Sequence, residues 1–133
     1  GRWTDMMSVL DSSFLIDILR NEPSAVAMLR RIDGAGTMLI PAPAIMELWA
    51  GALRSNASEE GKQQVERLAS SMTVVDFDAV AAKRAAELKH SLRRETIDVE
   101  DFMIAGIALS RGEDVVTKDA HYARIPGLRV LKY

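Results

Sequence analysis

The chain has 133 residues, a formal net charge of −2 from 17 basic and 19 acidic side chains, and no cysteine. That length suits one domain whose core is stable without disulfides. The lack of cysteine excludes disulfides, thiolate metal ligands and cysteine nucleophiles, and the charge excludes a global attraction to nucleic acid. The longest apolar stretch, 102–109, is far shorter than the roughly 18 residues of a membrane span, so we expect no membrane partner and a cytoplasmic location.

The N-terminal segment carries an acid and lacks a hydrophobic signal core. We therefore expect residues 1–6 to be an extension or a cloning remnant before a native start near Met6 or Met7. Residues 7–133 contain no internal repeat and no low-complexity tract. We expect them to form a single domain.

Short apolar segments alternate with helical patterns through the first half of the chain. The expected elements, in chain order, are a strand at 8–10, a helix capped by Ser12 or Ser13, a helix begun by Pro23 and ended by 34–36, a strand at 38–40, a helix at 44–53 and, after a turn at 56–58, a helix at 59–70. The helix at 59–70 is expected to bury Val65, Leu68 and Ala69.

The second half continues the same alternation. The expected elements are a strand at 73–75, an Ala-rich helix capped by Asp76 or Asp78 and ending near Arg93, a helix at 99–110 capped by Asp98 and ended by Gly112, a strand at 114–117, and a last strand at 128–131 after Pro126-Gly127. Such alternation predicts an α/β fold with right-handed crossovers. We expect a three-layer α/β/α sandwich with a central parallel sheet of four to five short strands.

The helix at 99–110 is apolar on nearly every side, which predicts that it is the most buried helix of the domain. An acid inside it, Asp101, therefore requires an explanation. Ala105, four residues further on, leaves space above the Asp101 carboxylate.

Four acids occupy positions where function is common in open α/β folds. Asp11 and Asp119 follow apolar strands, and Glu47 and Asp101 lie on helices. Carboxylates that converge repel one another unless a cation joins them. Four hard oxygen donors without a histidine or thiolate suit Mg²⁺ or Mn²⁺ and argue against zinc.

Each acid also has an ordinary structural interpretation. Asp11 can cap a helix, a role compatible with metal binding, and Asp101 can be a first-turn acid favoured by the helix dipole. Glu47 can be a solvated side chain, although Gly51 at i+4 suggests a close approach to its face. Asp119 can belong to a turn or a cap.

Polar neighbours of these acids are candidates for supporting roles. Ser13 and Thr117 could orient ligands or water through their hydroxyls, although capping explains them as well. Lys118 is a solvated charge or a phosphate contact. His90 and His121 lack a partner at metal-ligand spacing, so we interpret both as surface residues.

Other charged groups receive structural interpretations. The basic cluster at 83–94 is interpreted as a solvated helix face, although it could also contact nucleic acid. We expect Asp17 and Asp98 to be caps or surface residues.

Several segments together resemble the PIN domains, in particular the VapC-like ribonuclease toxins of prokaryotic toxin–antitoxin pairs. The matching segments are Val9-Leu10-Asp11-Ser12-Ser13-Phe14-Leu15-Ile16-Asp17, Pro41 to Gly51 with Glu47, Asp101-Phe102-Met103-Ile104-Ala105-Gly106, and Val116 to Tyr122 followed by Ile125-Pro126-Gly127-Leu128. These motifs occur in the family's order and cover nearly the whole chain. Gly106 stands where the family more often has Ala, and position 119 is where its members vary most.

The resemblance implies endonucleolytic cleavage of RNA that depends on Mg²⁺ or Mn²⁺. It implies that Asp11, Glu47, Asp101 and Asp119 form the acidic cluster. It also implies a homodimer and a VapB-like antitoxin whose tail fills the active groove.

Three alternatives stay open at this point. A phospho-acceptor receiver domain would have similar length and topology, with Asp76 as its acceptor, but it requires adjacent acids after the first strand, and Asp11 has no acidic neighbour. A PIN-like DNA nuclease and a PIN-like interaction module without catalysis are the others.

Overall fold

A computed structural model describes residues 6–33 and 36–133. Its sheet has five strands, all parallel, in the order β3-β2-β1-β4-β5. The strands are β1 Met6–Leu10, β2 Gly36–Pro41, β3 Thr73–Val75, β4 Asp114–Thr117 and β5 Val130–Lys132. The expected sheet is confirmed, and the last strand begins two residues later than predicted.

Helices connect the strands within the described residues. They are α1 Ser12–Leu19, α2 Pro23–Asp33, α3 Ala42–Arg54, α4 Ser58–Ser70, α5 Ala79–Ser91 and α6 Val99–Arg111, and a 3₁₀ turn spans Ala120–Arg124. The element order and the α/β/α class agree with the sequence prediction. No helix in these ranges is long and apolar enough to span a bilayer.

Two expectations concern residues at the edges of the described ranges. Residues 1–5 of the expected extension lie outside them, whereas Met6 already belongs to β1 and pairs with Gly36. Gly34 and Ala35, expected to end α2, also lie outside the described residues.

Three helices begin at an aspartate in the N-cap position. Asp11, and neither Ser12 nor Ser13, occupies the N-cap of α1. Asp78 caps α5 by accepting a hydrogen bond from the Ala81 N–H. Asp98 takes the N-cap position of α6 without a side-chain hydrogen bond.

The C-terminus of α6 is confirmed at Gly112, which adopts φ 69°, a left-handed conformation that side chains disfavour.

The core lies between the central strands and α6. The strand residues Val9, Leu10, Val115 and Val116 are fully buried. As predicted, α6 carries more buried side chains than the other described helices. The prediction for α4 was partly wrong, since Val65 is buried but Leu68 and Ala69 are only half-buried at this outer layer; they still pack against the core.

The basic residues of the 83–94 cluster are exposed, consistent with a solvated helix face.

The topology places the ends of β1 and β4 side by side. Leu10 is the register partner of Val116, and the Asp11 N–H donates to the Val116 carbonyl at 3.1 Å. Because parallel strands end at the same edge of a sheet, residues after β1 and β4 meet there. The N-terminal turn of α6 reaches the same edge, as the contacts of Asp101 establish below.

Candidate metal centre at the carboxyl edge of the sheet

Asp11 is the most firmly anchored acid of this edge. It is 2% exposed. Its Oδ1 accepts from the Ser12 N–H and the Tyr122 hydroxyl, both at 2.9 Å, and its Oδ2 accepts from Ser13 at 2.8 Å and Thr117 at 2.7 Å. A carboxylate has about four lone-pair sites, so protein donors already engage them all. Asp11 is thus held in one orientation.

Asp101 lies in the first turn of α6 and faces the same centre. Its Oδ1 is 3.2 Å from the Tyr122 hydroxyl. Burial, and after it the charges of Asp11 and Asp119, raises the pKa of Asp101 to about 6. Its Oδ2 accepts no hydrogen bond from the described part of the chain, so this oxygen is available to a ligand.

Tyr122 joins the two acids. Its side chain is fully buried, and burial together with the charges of Asp11 and Asp101 raises the pKa of its hydroxyl. The hydroxyl carries one proton but contacts both carboxylates, so it cannot donate to both at once. Without a cation or another proton, the pair of acids is therefore under-compensated.

Asp119 and His121 complete the centre from the loop after β4. The Asp119 N–H donates to Thr117 Oγ1 at 2.9 Å, and Asp119 Oδ1 accepts from the backbone N–H of His121 at 2.9 Å. The imidazole Nδ1 lies 3.2 Å from Asp119 Oδ1 and 3.7 Å from Asp101 Oδ2. One ligand atom from each of these three residues lies within 4.8 Å of the others.

The expectation that His121 has no partner of metal-ligand type was therefore wrong, whereas its place at the surface agrees with a side chain that is 37% exposed. Its spacing from Asp119 suggests no familiar metal motif, and its proximity to Asp101 exists only in the folded chain. His90, by contrast, is exposed on α5 as expected.

Glu47 and Glu100 add acidic groups near Asp11 and Asp101. Glu100 Oε1 accepts from the Ser12 hydroxyl at 2.6 Å. Burial, and then the charges of Glu47, Asp11 and Asp101, raises the pKa of Glu100 to about 7, against the effect of the Ser12 hydrogen bond. The sequence analysis did not select Glu100, because it resembles a routine first-turn acid.

Glu47 is half-buried on α3 and stands outside the convergent group of Asp101, Asp119 and His121. It borders a cavity of ≈ 260 Å³ that Gly51 also lines. A Cβ added at Gly51 would meet only Arg54 Nη2 at 3.9 Å, so the space over this helix face is open.

Asp17 was expected at a cap or on the surface, and this expectation was wrong. It is 5% exposed, and its Oδ2 accepts from Lys118 Nζ and from the Tyr133 hydroxyl, each at 2.7 Å. Burial opposes its ionisation, but these hydrogen bonds and the Lys118 charge hold the pKa of Asp17 below its usual value. The Tyr133 ring packs edge-on against Phe14, with ring centroids 4.8 Å apart. The ion pair with Asp17 thus restrains Lys118, although the Lys118 side chain is half-exposed.

The residues of the centre fit a divalent cation. Among the described residues, no lysine or arginine forms an ion pair with Asp11, Asp101 or Asp119. Burial and neighbouring charge raise the pKa of Asp101, and His121 Nδ1 is buried with no hydrogen-bond partner. A hard or borderline dication would reduce the repulsion between the carboxylates and would give His121 Nδ1 a partner.

Comparison with known proteins identifies the family. The PIN domain family matches residues 8–128. This chain belongs to the PIN domain family. The resemblance seen in the sequence is confirmed, and the receiver-domain alternative, with Asp76 as acceptor, is wrong.

Named relatives of this PIN domain span almost the whole chain. It is 34% identical over 124 residues to the tRNA(fMet)-specific endonuclease VapC of Shigella flexneri, covering 91% of this chain and 93% of that protein. The protein of the same name from Salmonella typhimurium is 34% identical over 125 residues, covering 92% and 94%.

Solved structures agree. VapBC from Salmonella typhimurium bound to DNA matches with a TM-score of 0.86 and 32% identity, and VapBC2 from Rickettsia felis with 0.87 and 22%, the latter supporting the fold alone. Each match covers 96% of this chain and 98% of the other.

Proposed function

We propose that this PIN domain is an Mg²⁺- or Mn²⁺-dependent endoribonuclease and the toxin of a toxin–antitoxin pair. In this proposal residues 7–133 form one nuclease domain that acts in the cytoplasm as a homodimer, and a VapB-like antitoxin restrains it. The observation that carries the proposal is the convergence of Asp11, Asp101 and Asp119 at the sheet edge of a chain whose relatives are named endonucleases.

The acids differ in their roles. Asp101 and Asp119 each keep one carboxylate oxygen, Oδ2, that accepts no hydrogen bond from the described residues, and they would hold the cation. Asp11 is held by four hydrogen bonds and would contact the cation if a hydroxyl donor such as that of Ser13 rotated away. Thr117 orients Asp11 and, through the Asp119 N–H, the loop that carries Asp119.

A bound dication supplies charge that neutralises the phosphoryl oxygens and helps water to attack the phosphodiester. Glu47 and Glu100 form the outer acidic side of the centre. Because the pKa of Glu100 is raised to about 7, this side chain can hold or release a proton near neutral pH. Lys118 is half-exposed beside Asp119 and pairs with Asp17; in this proposal its charge would also contact a phosphate of the substrate.

The nuclease proposal is tested with purified protein and defined nucleic acids. The first substrate to test is tRNA(fMet), which the names of the relatives specify. Unrelated tRNA and single-stranded DNA serve as comparison substrates. We expect cleavage of RNA with Mg²⁺ or Mn²⁺, none with a chelator, and loss of activity in Asp101→Asn but not in Asp76→Asn. Cleavage that persists with chelator would overturn the metal requirement, and preferential cleavage of DNA would favour the DNA-nuclease alternative.

The toxin proposal is tested in cells. Expression of the chain alone should arrest growth, Asp101→Asn should not, and co-expression of a VapB-like partner encoded beside the gene should restore growth. Harmless expression of a demonstrably active ribonuclease would contradict the toxin role while leaving the enzymatic proposal intact.

A further inference from the structure

His121 presents a nitrogen to the acidic centre without a hydrogen bond to occupy it. Its Nδ1 is buried and has no partner of acceptable hydrogen-bond geometry, although two carboxylate oxygens lie 3.2 and 3.7 Å away. The side chain itself is 37% exposed, so the ring borders solvent while Nδ1 faces inward.

Hydrogen bonds hold the backbone at His121 in place. The His121 N–H is bound to Asp119 Oδ1, and the Asp119 N–H is bound to Thr117 Oγ1, both at 2.9 Å. Thr117 is fully buried at the end of β4. The backbone from which the imidazole extends is therefore attached to the edge of the sheet through two successive hydrogen bonds.

Nδ1 faces two carboxylate oxygens without making a hydrogen bond to either, and a cation between them would contact the nitrogen and both oxygens. Two ligand atoms of one small dication can be at most about 4.2 Å apart, twice a bond of about 2.1 Å. The distances from Nδ1 to Asp119 and to Asp101 are both shorter than this limit. One ligand atom from each of the three residues lies within 4.8 Å of the others, so a small shift of the side chains would let one cation contact all three.

We propose that His121 Nδ1 is a ligand of the same cation that Asp101 and Asp119 hold, so that this centre is a mixed nitrogen and oxygen site. The inference rests on the metal requirement of the proposed function. Imidazole prefers transition-metal ions, whereas Mg²⁺ prefers oxygen ligands. The centre should therefore bind Mn²⁺ more tightly than an all-carboxylate site would, with a smaller effect on Mg²⁺.

The test uses the full chain, MnCl₂ alone and pulsed electron paramagnetic resonance, which detects ¹⁴N bonded to Mn²⁺. The chain has 2 histidines, so His90→Gln is a matched control for His121→Gln. We expect a ¹⁴N coupling in the native chain and in His90→Gln, and none in His121→Gln. Titrations should show that His121→Gln weakens Mn²⁺ binding about tenfold or more, with a smaller loss for Mg²⁺.

The outcomes separate this inference from the proposed function. Mn²⁺ binding that is abolished by Asp101→Asn, yet shows no ¹⁴N coupling in the native chain, would overturn the role of His121 alone and assign it an ion pair with Asp119. Failure of the native chain to bind Mn²⁺ or Mg²⁺ would overturn the metal proposal as well. The coupling is measured in the native chain, so it decides the question even if His121→Gln folds poorly.

Discussion

At the scale of single residues, hydroxyl groups determine how the acids can act. Asp11 is surrounded by the hydroxyls of Ser13, Thr117 and Tyr122, and one tyrosine proton is shared between Asp11 and Asp101. Such outer contacts orient ligands and set their charge balance. Their removal should affect the centre without removing any carboxylate.

Thr117 provides the sharpest residue-scale test. Thr117→Val keeps the shape of this fully buried side chain but removes the donor to Asp11 and the acceptor for the Asp119 N–H. We expect RNA cleavage to fall about 10- to 100-fold and the free energy of unfolding to fall by about 1–3 kcal/mol. Thr117→Ser should preserve most of the cleavage activity and most of the stability. Equal losses of activity and stability in the two variants would contradict the role of the hydroxyl.

In the metal-free protein the ionised Asp101 carboxylate should lower the free energy of unfolding, because burial and neighbouring charge raise the pKa of this group to about 6. In chelator at pH 7.5, Asp101→Asn should raise the free energy of unfolding by roughly 1 kcal/mol, measured by urea denaturation. Saturating Mn²⁺ should stabilise the native chain by about 2.7 kcal/mol at 100 times Kd and should leave the variant nearly unchanged. If Asp101→Asn were less stable than the native chain in chelator, the proposed charge repulsion at Asp101 would be contradicted.

At the scale of elements, the close packing of α5 on α6 explains an unusual glycine. A Cβ added at Gly106 would lie 2.6 Å from the Ala81 carbonyl oxygen and 3.1 Å from Ala85 Cβ. The glycine allows the two helices to approach, which keeps α6, and with it Asp101, in place against the sheet.

Gly106→Ala should therefore destabilise the domain by about 1–3 kcal/mol through overpacking, despite the better helix propensity of alanine. Gly51→Ala is the matched control, since its Cβ would meet nothing closer than 3.9 Å, and it should stabilise α3 by up to about 1 kcal/mol. Thermal or urea unfolding of both variants checks that Gly106→Ala lowers the stability and that Gly51→Ala raises it. A neutral Gly106→Ala would refute the close approach of the helices.

Asp17 links α1 to Lys118 after β4 and to Tyr133 after β5. Because the pKa of Asp17 is lowered from 3.8 in the folded chain, its contribution to stability is present above pH 3.8 and disappears as the pH falls through the folded value. The stability difference between the native chain and Asp17→Asn should therefore be largest near pH 6 and shrink towards pH 3. Urea denaturation across this range measures it, and a difference that grows in acid would contradict the assignment.

At the scale of the whole molecule, most of the fold could be predicted from local patterns. Apolar runs predicted β3 and β4 to the residue, and Gly112 predicted the end of α6. At α1 the sequence offered Asp11, Ser12 and Ser13 as caps, and Asp11 is the one that caps; because the three are adjacent, only tertiary contacts distinguish them.

The candidate site was less predictable because its supporting contacts join distant parts of the chain. Tyr122 reaches Asp11 across 111 positions, and Ser12 reaches Glu100 across 88. No periodicity reports such pairs. The acids were conspicuous at strand ends and in an apolar helix, whereas Tyr122 and His121 acquire their roles only from the folded arrangement.

The central claim is that separate segments of this PIN domain form one site for a divalent cation. Diffraction from crystals of the chain grown with MnCl₂, recorded near the manganese absorption edge, tests it most directly. We predict an anomalous peak bounded by Asp101, Asp119 and His121, and its loss in Asp101→Asn. Absence of a peak at this edge of the sheet, or a peak bound only elsewhere, would contradict the claim.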